Sequence, residues 1–171
     1  MKKITQLFLL VLLVTLTACK KHDAPTLLSP PDNSFTVSMP GSSKQQPIPN
    51  PDAFKGGALY ATDHLVDKQV FIAGYLDLKD APSNHMSDNL DRFRDNMVKG
   101  SGGQNLSEAT ITLDGNTGRD LRFQHPSGRT LHLHLFMVGM RLYVAQVVSE
   151  AGVNDDTPAA KAFFDSFHVN G

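Results

Sequence analysis

The chain contains one cysteine and no tryptophan among 171 residues. A single thiol excludes any intramolecular disulfide, so a domain built from this sequence must be held by its packed core. Charge excess is also lacking: 16 Lys and Arg against 17 Asp and Glu leave a net charge of −1. That balance excludes the strong basic field on which nucleic-acid binding relies, and no nucleic-acid partner is expected. Several reaction signatures are missing as well. No Gly-Lys-Ser/Thr follows Ser101-Gly102-Gly103 or the 114–118 turn, so neither is a phosphate loop. There is no Gly-x-Ser-x-Gly nucleophile elbow. The longest apolar run is shorter than the roughly 20 residues a membrane-crossing helix needs.

That run is nevertheless informative. Lys2 and Lys3 precede a stretch from residue 4 to residue 16 that is apolar apart from Thr5, Gln6 and Thr15, followed by Thr17-Ala18. A basic head, an apolar core of about a dozen residues and small residues at the end have the form of a secretory signal. The string Leu16-Thr17-Ala18-Cys19 resembles the lipobox of bacterial lipoproteins. The resemblance implies that residues 1–18 are removed and that the Cys19 thiol, the only one in the chain, carries a lipid. The new amine is then acylated, with palmitate as a typical chain. More than one acyl chain on a residue exceeds what stable anchoring requires. Cleavage would leave 153 of the 171 residues and, with two lysines lost, a balance of about −3. Residues 19–33 are rich in Pro and polar side chains and read as the lipidated Cys and a flexible tether, up to roughly 45 Å long when extended.

From residue 34 the pattern changes to that of one folded domain ending near 170. Phe35, Val37 and Met39 alternate with polar residues, which predicts a half-buried strand ending at Pro40-Gly41. Residues 42–53 read as a Pro- and Gln-rich loop, and 58–64 and 69–78 as strands. The second is apolar on both parities, as in a strand covered on both faces. Met86, Leu90, Phe93 and Met97 recur at steps of four, three and four, which predicts a helix within 83–100 whose apolar stripe enters the core. Four strands follow, at about 105–113, 118–125, 129–138 and 141–149, separated by Gly-containing turns. A last helix should start at the N-cap Thr157 with Pro158 in its first turn and bury Ala160, Phe163, Phe164 and Phe167.

The strings Leu106-Ser107-Glu108, Ile111-Thr112-Leu113-Asp114-Gly115, Gly118-Arg119-Asp120-Leu121, Val138-Gly139-Met140-Arg141-Leu142-Tyr143 and Phe163-Phe164-Asp165-Ser166-Phe167 resemble bacterial members of the PsbP-like fold group. That group includes DcrB-type lipoproteins and Mog-type Ran-binding proteins. The resemblance covers residues 34–170. It implies an α+β domain, an α/β/α sandwich with a central antiparallel sheet flanked by helices. It also implies a binding or assembly factor rather than an enzyme.

The sharpest chemical constellation is Leu131-His132-Leu133-His134-Leu135. On a strand the two imidazoles share one face and the leucines the other. If Pro126-Ser127-Gly128 is a three-residue loop, Arg122 opposes His132 and Asp120 opposes His134, while a tight turn at Gly139-Met140 places Ala145 and Val147 on the far side. Asp120, His132 and His134 are thus the candidate metal ligands. The Arg122 guanidinium beside His132 disfavours a cation, and the preferred reading is a polar cross-strand cluster with Asp120 bonded to His134 and no metal or other cofactor. Asp63, His64 and Asp67, and likewise His85 and His168, read as turn or rim residues. The Met86–Met97 stripe reads as core rather than a ligand pocket.

The expectation is therefore a non-catalytic binding or assembly module. It would be anchored through lipid in the cell envelope, on the periplasmic face of the outer membrane in a Gram-negative source, with an envelope protein as partner. Metal binding through Asp120, His132 and His134 is one alternative, and carriage of a small apolar ligand between a helix and the sheet is another. Loops 42–53, 79–85 and 150–157 are the expected contact surfaces.

Overall fold

A computed structural model describes residues 24–48, 51–80 and 86–170. Residues 1–18, Cys19 and His85, on which several expectations rest, lie outside the described residues. Among the described residues, no helix is long and apolar enough to cross a membrane. The elements in chain order are β1 (Thr26–Leu28), β2 (Phe35–Met39), β3 (Ser43–Gln46), a 3-10 turn (Pro51–Ala53), β4 (Phe54–Thr62), β5 (Gln69–Leu78), α1 (Met86–Ser101), β6 (Gln104–Leu113), β7 (Asn116–Gln124), β8 (Thr130–Val138), β9 (Arg141–Ser149), α2 (Pro158–Asp165) and β10 (His168–Val169).

Alternation of side-chain character builds the main sheet. It has seven antiparallel strands in the order β3-β4-β5-β9-β8-β7-β6. In the two central strands β5 and β9 both parities are apolar, and each parity serves a different core. Phe71, Ala73, Tyr143, Ala145 and Val147 face one way, against Phe163, Phe164 and Phe167 of the α2 region. Leu142 and Val144, with Leu133 and Leu135 of β8, face the other way, against Leu90 and Met97 of α1. A second, three-stranded sheet, β1-β2-β10, completes the α2 side. Its strand β2 buries Phe35, Val37 and Met39 completely, and Phe35 stacks on Phe167 with ring centroids 5.4 Å apart.

Local chemistry ends the helices where it should. Thr157 caps α2 by accepting a hydrogen bond from the Ala160 N–H at 3.1 Å, with Pro158 at the helix start. At the C-terminus of α1, Gly102 adopts φ +63°, and the Gly103 N–H donates back to the Val98 carbonyl at 3.2 Å. A positive φ followed by that backward bond is the Schellman arrangement, which favours glycine.

Several expectations need correction. The structure is mostly strand, with two helices among the described residues, one to a sheet face, and is not clearly the helix-flanked α/β/α sandwich expected. On one sheet face α1 contacts β7 and β8, and the opposite face is shared between α2 and the small sheet. The tether does not extend to residue 33, because β1 pairs with β2 and Asp32 is held by Arg141 at 2.8 Å. The 42–53 loop contains β3, an edge strand paired with β4, and the 3-10 turn. Met86 does not join the buried stripe: at the first residue of α1 it remains 49% exposed, while Leu90 and Met97 are buried. Gly118 is not a turn residue. The β6–β7 turn is completed by Asp114 and Gly115, at φ 49° and 78°, and Gly118 lies inside β7 against the Leu135 carbonyl.

Candidate functional site

Two places in the fold combine concave shape or chemistry with unusual burial, and they lie on opposite faces of the main sheet.

The first is the histidine pair of β8. The His125 N–H donates to the Arg129 carbonyl at 2.8 Å and closes the Pro126-Ser127-Gly128 loop. That closure sets the expected register, Arg122 opposite His132 and Asp120 opposite His134, with Val147 and Ala145 on the other side. Side-chain lean then departs from register. Asp120 Oδ1 lies 2.9 Å from His132 Nε2, on the diagonal, and Asp120 Oδ2 lies 3.8 Å from His134 Nε2. The expected Asp120–His134 hydrogen bond is thus replaced by one to His132, and a single carboxylate faces both Nε2 atoms. Phe164 of α2 lies over the pair, its ring centroid 4.4 Å from that of His132 and 4.1 Å from that of His134.

That aromatic cover sets the electrostatics. Burial pushes His134 down to about 4, so its ring is neutral at neutral pH. Burial raises the Asp120 carboxyl, but the hydrogen bond from His132 and the positive charge around it prevail and hold it below the ordinary carboxylate range. Arg122 is not free to repel a cation here. Its Nη2 is 2.6 Å from Asp156 Oδ1, and its Nε is 3.3 Å from Asp155 Oδ2. Those two acids sit just before the α2 cap, in a loop pinned by the fully buried Gln69. The Thr157 hydroxyl donates to Gln69 Oε1 at 2.6 Å, and Gln69 Nε2 donates to Ser149 Oγ at 2.9 Å. His132 is 5% exposed, and its Nδ1 is buried without a hydrogen-bond partner, as is Asp155 Oδ2.

The second place is an apolar cleft between α1 and the sheet. Phe93 and Met97 of α1 form one wall, and Leu133, Leu135, Val144 and Ile72 form the floor. Ser101 and Gln146 are the polar side chains that line it. The cavity measures ≈ 60 Å³, and the empty space around it, open mouth included, is ≈ 670 Å³. The stripe that reads as core in the sequence therefore both packs and lines a cleft.

The other sequence candidates do not assemble with these groups. His64 bonds to its neighbour Asp63 at 2.7 Å, where the Ser42 hydroxyl also donates. Asp67 occupies a turn at φ 50°. The exposed His168 lies 3.4 Å from Asp114. Sequence reasoning missed Asp155, Asp156 and the Phe164 cover. Two acids before an N-cap read as complements to the helix dipole, and nothing local ties them to strands β7 and β8.

No protein-family profile and no curated protein matches the chain. Solved structures do. The cyanobacterial PsbP protein (CyanoP) of Synechocystis superposes with a TM-score of 0.61 at 12% identity, over 91% of this chain and 99% of that one. A Pseudomonas aeruginosa protein of unknown function gives 0.45 at 13% identity over 80% and 85%. A Bacteroides thetaiotaomicron protein gives 0.44 at 11% identity over 88% and 50%. The likeness to CyanoP shows that the fold is PsbP-like, and at such identities it concerns the fold alone.

Proposed function

We propose that this protein is a non-catalytic binding module, held at a cell-envelope membrane through lipid on Cys19, whose binding surface is the cleft between α1 and the main sheet. The observation that carries the reading is the cleft's lining, ten apolar side chains with Ser101 and Gln146 as the polar ones. Concave, mostly apolar sites with a few polar groups are where small ligands bind. The enclosed part is small and the open cleft around it larger, so the site suits an apolar group that lies along the cleft rather than one swallowed whole, either free or projecting from a partner. The PsbP-like fold supports a binding role by analogy only. Ser149 and Thr157 are both hydrogen-bonded to Gln69.

The test is titration of the unlipidated chain with N-phenyl-1-naphthylamine. Saturable enhancement of fluorescence is expected, and Gln146→Trp, which places a large ring at the half-buried mouth, should abolish it while leaving the melting transition intact. A wild type that gives no enhancement, or a variant that binds equally well, contradicts the reading.

A further inference from the structure

We propose that Asp120, His132 and His134 form a binding site for a divalent transition-metal ion of the zinc class, with Nε2 of each imidazole and one Asp120 oxygen as protein ligands. The site lies on the sheet face away from the apolar cleft and does not depend on it.

The first argument is geometry. Asp120, His132 and His134 each present a ligand atom, and these atoms all lie within 4.8 Å of one another. Metal–ligand bonds of about 2.1 Å in a tetrahedral site put neighbouring ligand atoms roughly 3.4 Å apart. The observed separations, 2.9 Å from His132 Nε2 to Asp120 Oδ1 and 3.8 Å from His134 Nε2 to Asp120 Oδ2, lie on either side of that value. An ion held there takes one of the two oxygens, presented to both imidazoles by rotation of the Asp120 carboxylate.

The second argument is charge. In the register alone, Arg122 stands beside His132 and opposes a cation. In the structure it is engaged by Asp155 and Asp156. The four ionised groups Asp120, Asp155, Asp156 and Arg122 therefore sum to a negative local charge.

The third argument is the unpartnered nitrogen. While His132 Nε2 is hydrogen-bonded to Asp120, Nδ1 is buried and has no hydrogen-bond partner, in a ring 5% exposed. A ring nitrogen of His132 and one oxygen each of Asp155 and Asp156 also lie within 4.8 Å of one another. If Nε2 binds a metal ion, the ring proton is carried on Nδ1. It then faces a carboxylate-rich neighbourhood, that of Asp155 and Asp156. A metal-bound imidazole that donates its other N–H to a carboxylate is the usual outer-shell arrangement. Metal binding at Nε2 thus leaves Nδ1, the ring nitrogen without a hydrogen bond, as the donor to that neighbourhood. Asp120 and His134, with side chains 29% and 21% exposed, form the route to solvent.

The experiment uses the full chain without an affinity tag, in neutral detergent, stripped with chelator and titrated with zinc chloride against a chromophoric competitor. One zinc per chain is expected. Asp120→Asn and His134→Gln should each weaken binding by at least about tenfold, while His64→Ala and His168→Ala should not. Because a folding defect could mimic a lost ligand, histidine nitrogen NMR of the wild type supplies an independent readout. Zinc should move the His132 proton from Nε2 to Nδ1. No zinc retained, equal binding in all four variants, or an unchanged His132 tautomer at one bound zinc would each overturn the proposal.

Discussion

The packing on the α2 side makes Phe163→Ala the most exacting test of the fold. Phe163 is 1% exposed and meets Phe71 edge-on at 5.4 Å and Phe164 edge-on at 5.4 Å. Truncation removes the apolar transfer energy of a ring and leaves a hole bounded by strands that cannot collapse. The cost is about 3–5 kcal/mol. For a domain near 150 residues each kcal/mol moves the melting temperature by about 2–4 °C, so the loss should be roughly 6–20 °C. Two comparisons calibrate it. Met86→Ala, at a side chain 49% exposed, should stay within about 0.5 kcal/mol. Arg94→Ala should cost up to about 1 kcal/mol, because Nη1 meets both Glu108 oxygens, at 2.7 and 2.8 Å, at a half-open site. The assay is urea unfolding followed by circular dichroism, with the slope of the transition checked for constancy. A Phe163→Ala loss below 1 kcal/mol, or one no larger than that of Met86→Ala, would refute the assigned helix register.

Acid should destabilise the protein through His134. Its folded pKa is depressed from 6.5 to about 4, so the unfolded chain binds the proton first. The stability is fully present above pH 6.5, falls as pH drops, and is spent near pH 4, a loss of about 3 kcal/mol. The depressed Asp120 carboxyl has the same sign, its contribution being lost at still lower pH. With chelator present, His134→Gln should flatten unfolding curves between pH 6.5 and 4, and an unchanged pH slope would count against the assignment. Gly118→Ala should cost more than 1 kcal/mol, since a Cβ there would stand 2.4 Å from the Leu135 carbonyl oxygen. Gly115→Ala meets open space and pays only for its φ of 78°; equal losses would contradict the close approach. Cys19→Ala should abolish incorporation of labelled fatty acid, and labelling equal to wild type would remove the anchor from the account.

The parts of the fold visible in the sequence are those governed by local periodicity. The strands from 69 to 78 and from 104 to 149, the Pro126-Ser127-Gly128 loop and the Thr157 cap all follow from alternation and turn chemistry within a few residues. The elements that escaped notice, β1, β3 and β10, are two to four residues long and polar or edge-lying. They exist because a distant partner offers unpaired backbone, and no local pattern announces that. Met86 shares the helical phase of Leu90, but phase does not say where the sheet beneath it ends. At the histidine pair, register was legible, because Cα pairing follows from loop length. The diagonal lean of Asp120 towards His132 was not, because rotamers and the ring of Phe164 decide it. The capture of Arg122 by Asp156, 34 residues away, depends on where Gln69 pins a loop, which is a tertiary event.

The central claim is that the cleft beneath α1 receives an apolar group. Methyl-resolved NMR of the unlipidated chain titrated with octanoate tests it most directly. The account expects saturable shifts at Leu59, Ile72, Leu133 and Val144, which line the cleft. It expects none at Val37, Val147 and Val169 on the opposite face. Shifts on that opposite face instead, or no saturable shift at any of these methyls, would contradict it.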